Sequence, residues 1–162
     1  MLDNKTIAIV RLSAIGDVLN CTPVAAALRA AAPRCRIIWI VSPGAADMEL
    51  TNPDIDEVFV WSRQHWEELL RRGRFRMAWQ AYKQLKLELK KRHIDIALDV
   101  HGLFISGVVT LATGAPRRIG LGGTKELNWA FMTEQAPVCP AQTHVIRRYL
   151  SILQPLGIVS DN

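Results

Sequence analysis

Cysteine is scarce in this chain. Cys21, Cys35 and Cys139 are the whole complement, an odd number without paired metal-ligand spacing, so a disulfide framework and a thiolate metal site are both disfavoured and buried thiols are the expectation. No apolar run approaches the roughly 18 to 20 residues that a membrane span needs. Asp3 and Lys5 stand where a signal peptide would need its basic start and apolar middle, so a cytoplasmic location is expected. The glycine-rich dinucleotide fingerprint is also missing. The first strand-to-helix turn, "RLSAIGD" at 11–17, lacks the three glycines of G-x-G-x-x-G, which weakens a dehydrogenase reading. No cluster of His, Cys, Asp and Glu has metal-ligand spacing, so neither a metal nor a cofactor is expected.

What is present suits one soluble globular domain. The 162 residues are 49% hydrophobic and 22% charged, enough to bury a core and too apolar for disorder. Twenty Lys and Arg against fifteen Asp and Glu give a formal charge of +5, which favours an anionic partner without choosing among them. The excess is concentrated between Arg71 and Arg92. Aromatic residues are not interleaved with those cations as a stacking platform, so nucleic acid is not the expected partner.

Short apolar runs alternate with helical patterns. "IAIV" (7–10), "RIIWIV" (36–41), "EVFVW" (57–61), "IDIALDV" (94–100) and "RRIGL" (117–121) read as strands, their lack of alternation marking burial on both faces. Helices are expected over 18–31, from Ala45, over 77–92, over 102–115 with Gly114 closing, and over 142–156. Pro23 is placed in or near the first turn of its helix. This order predicts an α/β fold, a Rossmann-like three-layer α/β/α arrangement around a mostly parallel sheet.

In such a sheet the ligand site lies outside the carboxyl ends of the strands. Ser13 to Asp17 occupies the first such crossover. Gly16 is expected to let the backbone turn tightly and expose amides, and a helix N-terminus there would favour a negative group. Asp17 admits two readings, a helix N-cap or a general base aimed into the cleft.

"IAIVRLSAIGDVLNCTPVAAALR" resembles the start of the family 9 glycosyltransferases, the lipopolysaccharide heptosyltransferases. "DIALDVHGLFISGVVTLATGAPRRIGL" (95–121) and "THVIRRYLSIL" (143–153) resemble two further blocks of that family, in family order. The resemblance implies a GT-B architecture of two Rossmann-like domains, of which residues 1–157 would be the N-terminal, acceptor-binding one. Residues 158–162 would begin the linker to a C-terminal domain that binds the ADP-heptose donor, and the isolated chain is expected to be inactive.

By the same resemblance Asp17 is the base acting on an acceptor hydroxyl, displacing the cap reading. The acceptor implied is Kdo-bearing lipid A or inner-core lipopolysaccharide, reached from the cytoplasm or peripherally at the inner membrane. Ser13, Gly16, His101, Gly102, Ser106, Lys125 and Arg148 match positions expected to contact it, although His101 reads equally as a satisfied loop histidine. Two features depart from the family pattern. Ile105 replaces a lysine, which removes one expected anionic contact, and Arg71, Arg72, Arg74 and Arg76 come late in what reads as a loop and suit a solvated face. Trp61, Trp66 and Trp79 read as packing residues. The alternative function is a non-catalytic module binding anionic glycolipid.

Overall fold

The computed structural model describes residues 2–159. Six strands form one parallel sheet: β1 (Thr6–Val10), β2 (Arg36–Val41), β3 (Glu57–Val60), β4 (Ile96–Asp99), β5 (Arg117–Gly120) and β6 (Glu134–Gln135). Their spatial order is β3-β2-β1-β4-β5-β6. The chain therefore winds outward one way from β1 and then the other way from β4, which is the doubly wound Rossmann order. β1 and β4 are paired from Ile7 opposite Ile96 to Val10 opposite Asp99, and the crevice between their carboxyl ends is the topological switch point.

The uninterrupted apolar strands are explained by two cores, one on each face. Ile7, Ile9, Ile37, Trp39 and Leu98 point to one side and pack on helices α1 (Ile15–Ala31) and α6 (Val145–Leu150). Ala8, Val10, Ile38, Ile40 and Ala97 point to the other, under α4 (Phe75–Lys90) and α5 (Phe104–Ala112). Period-two alternation thus sends every second residue to a different apolar layer, so no polar position is needed. α1 buries Val18, Cys21, Val24, Ala25 and Leu28, the three- and four-residue spacing of one helix stripe.

Several sequence expectations are corrected. Pro23 lies deep inside α1 rather than near its first turn. The proline cannot donate to the Leu19 carbonyl, and the Thr22 hydroxyl does so instead at 2.8 Å, which keeps that acceptor satisfied. The segment after β3 is not a loop: Arg63–Arg71 forms helix α3, started by Ser62, whose hydroxyl accepts the His65 amide at 3.3 Å. The last helix is shorter than expected, α6 giving way to a 3-10 segment over Ser151–Leu156, because Pro155 cannot continue the α pattern. A short α2 (Ala46–Leu50) follows a 3-10 turn, and β6 carried no strand signal in only two residues. Cys21 and Cys35 are buried, but Cys139 is partly exposed. Trp61 and Trp66 pack against the second core, whereas Trp79 is 61% exposed and is not a packing residue. The expected linker at 158–162 falls partly outside the described residues, at 160–162.

Candidate functional site

β1 delivers Arg11 and Leu12 to the switch point, and a turn with a cis Ser13–Ala14 peptide leads directly into α1. Ala14 occupies the N-cap position and makes no side-chain cap bond. Asp17 lies within the first turn of α1 and does not cap the helix. Its carboxylate is held by two side chains instead: Arg11 Nη2 lies 2.7 Å from Oδ2, and the Tyr149 hydroxyl donates to Oδ1 at 3.1 Å. The two holders are themselves joined, the guanidinium lying 5.2 Å from the centre of the Tyr149 ring, within cation–π range. Arg11 also donates from Nη1 to the Val100 carbonyl at 3.1 Å, and its own carbonyl accepts from Trp39 Nε1.

This arrangement makes the carboxylate rigid without enclosing it. The Arg11 side chain is 8% exposed and that of Asp17 is 43% exposed. A carboxylate has about four lone-pair positions, so the outward ones remain open to a ligand hydroxyl. Tyr149 is kept in its protonated, donating form, since burial raises its phenol above the ordinary value against the opposing influence of Arg11.

Beyond β4 a second cluster faces the first. Asp99 is fully buried and accepts the amides of His101 at 3.0 Å and Gly102 at 2.9 Å, and the Asn128 side-chain amide at 2.8 Å. Burial raises its carboxyl above the ordinary range, with these donors pulling the other way. Gly102 has φ +77°, and a Cβ there would meet Thr124, so glycine is required by both backbone and space. His101 accepts the Leu12 amide on Nδ1 at 3.2 Å. Burial first, then the Arg11 and Arg63 charges, push its imidazole down to about 3. It is therefore neutral near pH 7, with Nε2–H as its donor. Ser106 turns inward, its hydroxyl bonded to the Leu103 amide and carbonyl, and so starts α5 rather than facing a ligand.

A cleft of about 750 Å³ opens where the loops after β1, β2 and β3 converge. Ser13 and Gly16 line it, joined by Ser42, Arg63, Gln64 and Glu67. Gly16 lies in helical backbone with open space where a Cβ would stand, so it is not the tight turn expected; its missing side chain leaves room in the cleft. Asp17 adjoins this wall, while His101, Gly102 and Ser106 lie at the switch point beside it. Lys125 and Arg148 are exposed and do not line the cleft. Ile105 is buried in the second core, so a side chain at this position faces inward. The amide of Phe104 at that helix start is taken by Glu126 Oε2 at 3.2 Å.

Arg11, Tyr149, Asp99, Asn128, Ser42 and Arg63 were not singled out in the sequence. Arg11 had a signal, a cation immediately after the first strand beside a Gly-Asp turn. Tyr149 and Asn128 carried none, since they reach the site only through long-range folding.

The family model of "Glycosyltransferase family 9 (heptosyltransferase)" matches residues 82–160. Lipopolysaccharide core heptosyltransferase OpsX of Haemophilus influenzae is 23% identical over 156 residues, covering 95% of this chain and 41% of that protein. Lipopolysaccharide heptosyltransferase 1 of Pseudomonas aeruginosa is 26% identical over 115 residues, 71% of this chain and 32% of its own length. The chain thus spans less than half of the curated relatives it matches. Among solved structures, E. coli heptosyltransferase WaaC with ADP-2-deoxy-2-fluoro heptose superposes with a TM-score of 0.81 at 22% identity, over 95% of this chain and 49% of that one. The family match falls on the part of the chain that carries β4, α5 and Tyr149, and the relatives extend the similarity back through the Asp17 turn, so the chain is similar to glycosyltransferase family 9 along most of its length.

Proposed function

We propose that this chain is the N-terminal, acceptor-side half of a GT-B heptosyltransferase that acts with inversion on the Kdo-bearing inner core of lipopolysaccharide. The observation that carries the reading is the Asp17 carboxylate, clamped by Arg11 and Tyr149 at the switch point and open on its outer side. In the reaction an acceptor hydroxyl would give its proton to Asp17 as its oxygen attacks the anomeric carbon of ADP-heptose. The bond from that carbon to the diphosphate breaks, and ADP leaves with the electron pair. Two holders fix the base within reach of one hydroxyl, which is how orientation contributes to rate.

Arg63 in the cleft wall, with Lys125 and Arg148 at greater distance, supplies cations suited to the acceptor's phosphate and carboxylate groups. Ser13, Gly16, His101 and Gly102 would shape the acceptor subsite. The donor would be held by a second domain, with work at the cytoplasmic side of the inner membrane. Among the described residues no helix is long and apolar enough to cross a membrane, which is compatible with a peripheral association. The test is calorimetric titration of the chain with a soluble Kdo-containing acceptor and, separately, with ADP. Acceptor binding that Asp17→Asn weakens, without ADP binding, is the expected result; ADP binding without acceptor binding would assign the chain to the donor side. Acceptor binding with no turnover in any two-domain parent would favour a glycolipid-binding module.

A further inference from the structure

On the face of the sheet opposite α1 and α6, an apolar groove of about 540 Å³ runs between α3, α4 and α5. Trp66, Phe75, Trp79, Tyr82, Phe104 and Leu111 form its walls. Most of these side chains are in water: Phe75 is 67% exposed and Trp79 61%. A contiguous apolar surface of this kind on a folded chain marks a site that something covers.

The charge beside it indicates what that is. Phe75, Trp79, Tyr82 and Lys86 follow one another along one stripe of α4, and Arg76, Lys83 and Lys90 repeat every seven residues on the neighbouring stripe. All four of these cations are exposed, and among the described residues none has an acidic partner within salt-bridge distance. The one acidic residue of the helix, Glu88, lies on another stripe and is engaged by Lys91. Aromatic side chains and cations thus do share this helix, contrary to the expectation from sequence, and rings with an adjoining row of unneutralised cations are the composition of a helix that lies in a membrane interface, the rings entering the headgroup layer and the cations meeting anionic lipid. A second copy of this chain would bring two cation rows together, which disfavours self-association at this face.

We propose that the α3–α4–α5 face docks on an anionic lipid bilayer, with Phe75 and Trp79 inserted at the interface and Arg76, Lys83, Lys86 and Lys90 over its headgroups. The face is separate from the Asp17 crevice, and the inference does not depend on the transferase reading. The vesicles that test it carry no sugar acceptor, so its failure and the failure of that reading are distinguishable.

The experiment is flotation of the 162-residue chain with phosphatidylethanolamine–phosphatidylglycerol vesicles, against pure phosphatidylcholine vesicles. Binding is expected to the anionic vesicles only and to fall with added salt. Lys83→Gln and Lys86→Gln should each lower the partition coefficient about fivefold, and the Phe75→Ser/Trp79→Ser double variant about tenfold or more, with thermal melts confirming that the variants fold. Equal binding to neutral vesicles, no binding, or binding indifferent to the Phe75/Trp79 change would overturn the proposal. So would a dimer seen by sedimentation that the double variant dissolves, since the occupant would then be a second copy.

Discussion

Tyr149 donates its hydroxyl proton to Asp17 across 132 residues of sequence, at 3.1 Å, while Arg11 holds the other carboxylate oxygen at 2.7 Å. The candidate base is thus gripped from the strand that precedes it and from a helix near the far end of the chain. Asp17→Asn in a two-domain parent should lower kcat about 10²- to 10⁴-fold, the usual contribution of a positioned base. Tyr149→Phe keeps the ring over Arg11 and loses one hydrogen bond, so kcat/KM should fall only about 2- to 12-fold, equivalent to roughly 0.5–1.5 kcal/mol. Steady-state kinetics over a pH series check both; a Tyr149→Phe loss as deep as that of Asp17→Asn would move the proton-transfer role to the phenol.

His101 should make the fold sensitive to acid. Its imidazole is pushed down to about 3 in the folded state from an unfolded value near 6.5. Between those values the unfolded chain binds the extra proton, so the stability contribution is complete above about pH 6.5 and is lost progressively as pH falls toward 3. Asp99 works in the opposite sense, because its raised carboxyl favours the folded state more as pH falls. Comparing melts of the wild type and His101→Gln at pH 7 and pH 5 isolates the histidine. The wild type should lose about 1 kcal/mol more than the variant, after allowance for partial exposure, and parallel losses would remove the assignment.

Glu49 is 1% exposed, and its Oε1 has no hydrogen-bond partner while Asn52 serves Oε2 at 3.2 Å. Burial raises its carboxyl above the ordinary value, against the Asn52 bond, so the ionised form destabilises the fold as pH rises above the unfolded value. Glu49→Gln removes the charge and keeps an acceptor for Asn52. At pH 7 the variant should be more stable by on the order of 1 kcal/mol, with the gain shrinking toward pH 4 in denaturant titrations. A uniform loss across that range would show that the carboxylate has a favourable role.

Gly122 follows β5 where a Cβ would run into the backbone of Ala136, Pro137 and Val138. Backbone atoms cannot swing aside as a side-chain tip can, so Gly122→Ala should cost about 1–3 kcal/mol or more and loosen the β5–β6 pairing. Gly16→Ala meets nothing within 4 Å and should leave the melting temperature almost unchanged while narrowing the cleft. Thermal melts of the two variants side by side check the contrast; equal losses would mean that space at Gly122 is not what requires glycine.

The parallel α/β architecture was legible because each central strand is an apolar run buried on two faces, a pattern independent of partners. Helix α3 was missed, since "SRQHWEELLRRGRFR" is polar enough to pass for a loop, and its stability comes from Ser62 at its start and from Trp66 and Leu69 packing inward. The Gly-Asp turn marked the first crossover, whose Ser13 and Gly16 line the cleft. Its cap reading of Asp17 failed because Ala14 begins the helix, which places the carboxylate beside Arg11 and Tyr149.

Local order, fold class and the position of the first crossover were therefore determined by the sequence itself, through apolar period and turn residues that act over a few positions. The company kept by each polar group was decided by the tertiary structure alone. Winding outward from β1 and then from β4 brings Arg11, His101 and Asp99 to one crevice and lays α6 against α1 so that Tyr149 reaches Asp17. Those pairings join residues too far apart for any local pattern to record them.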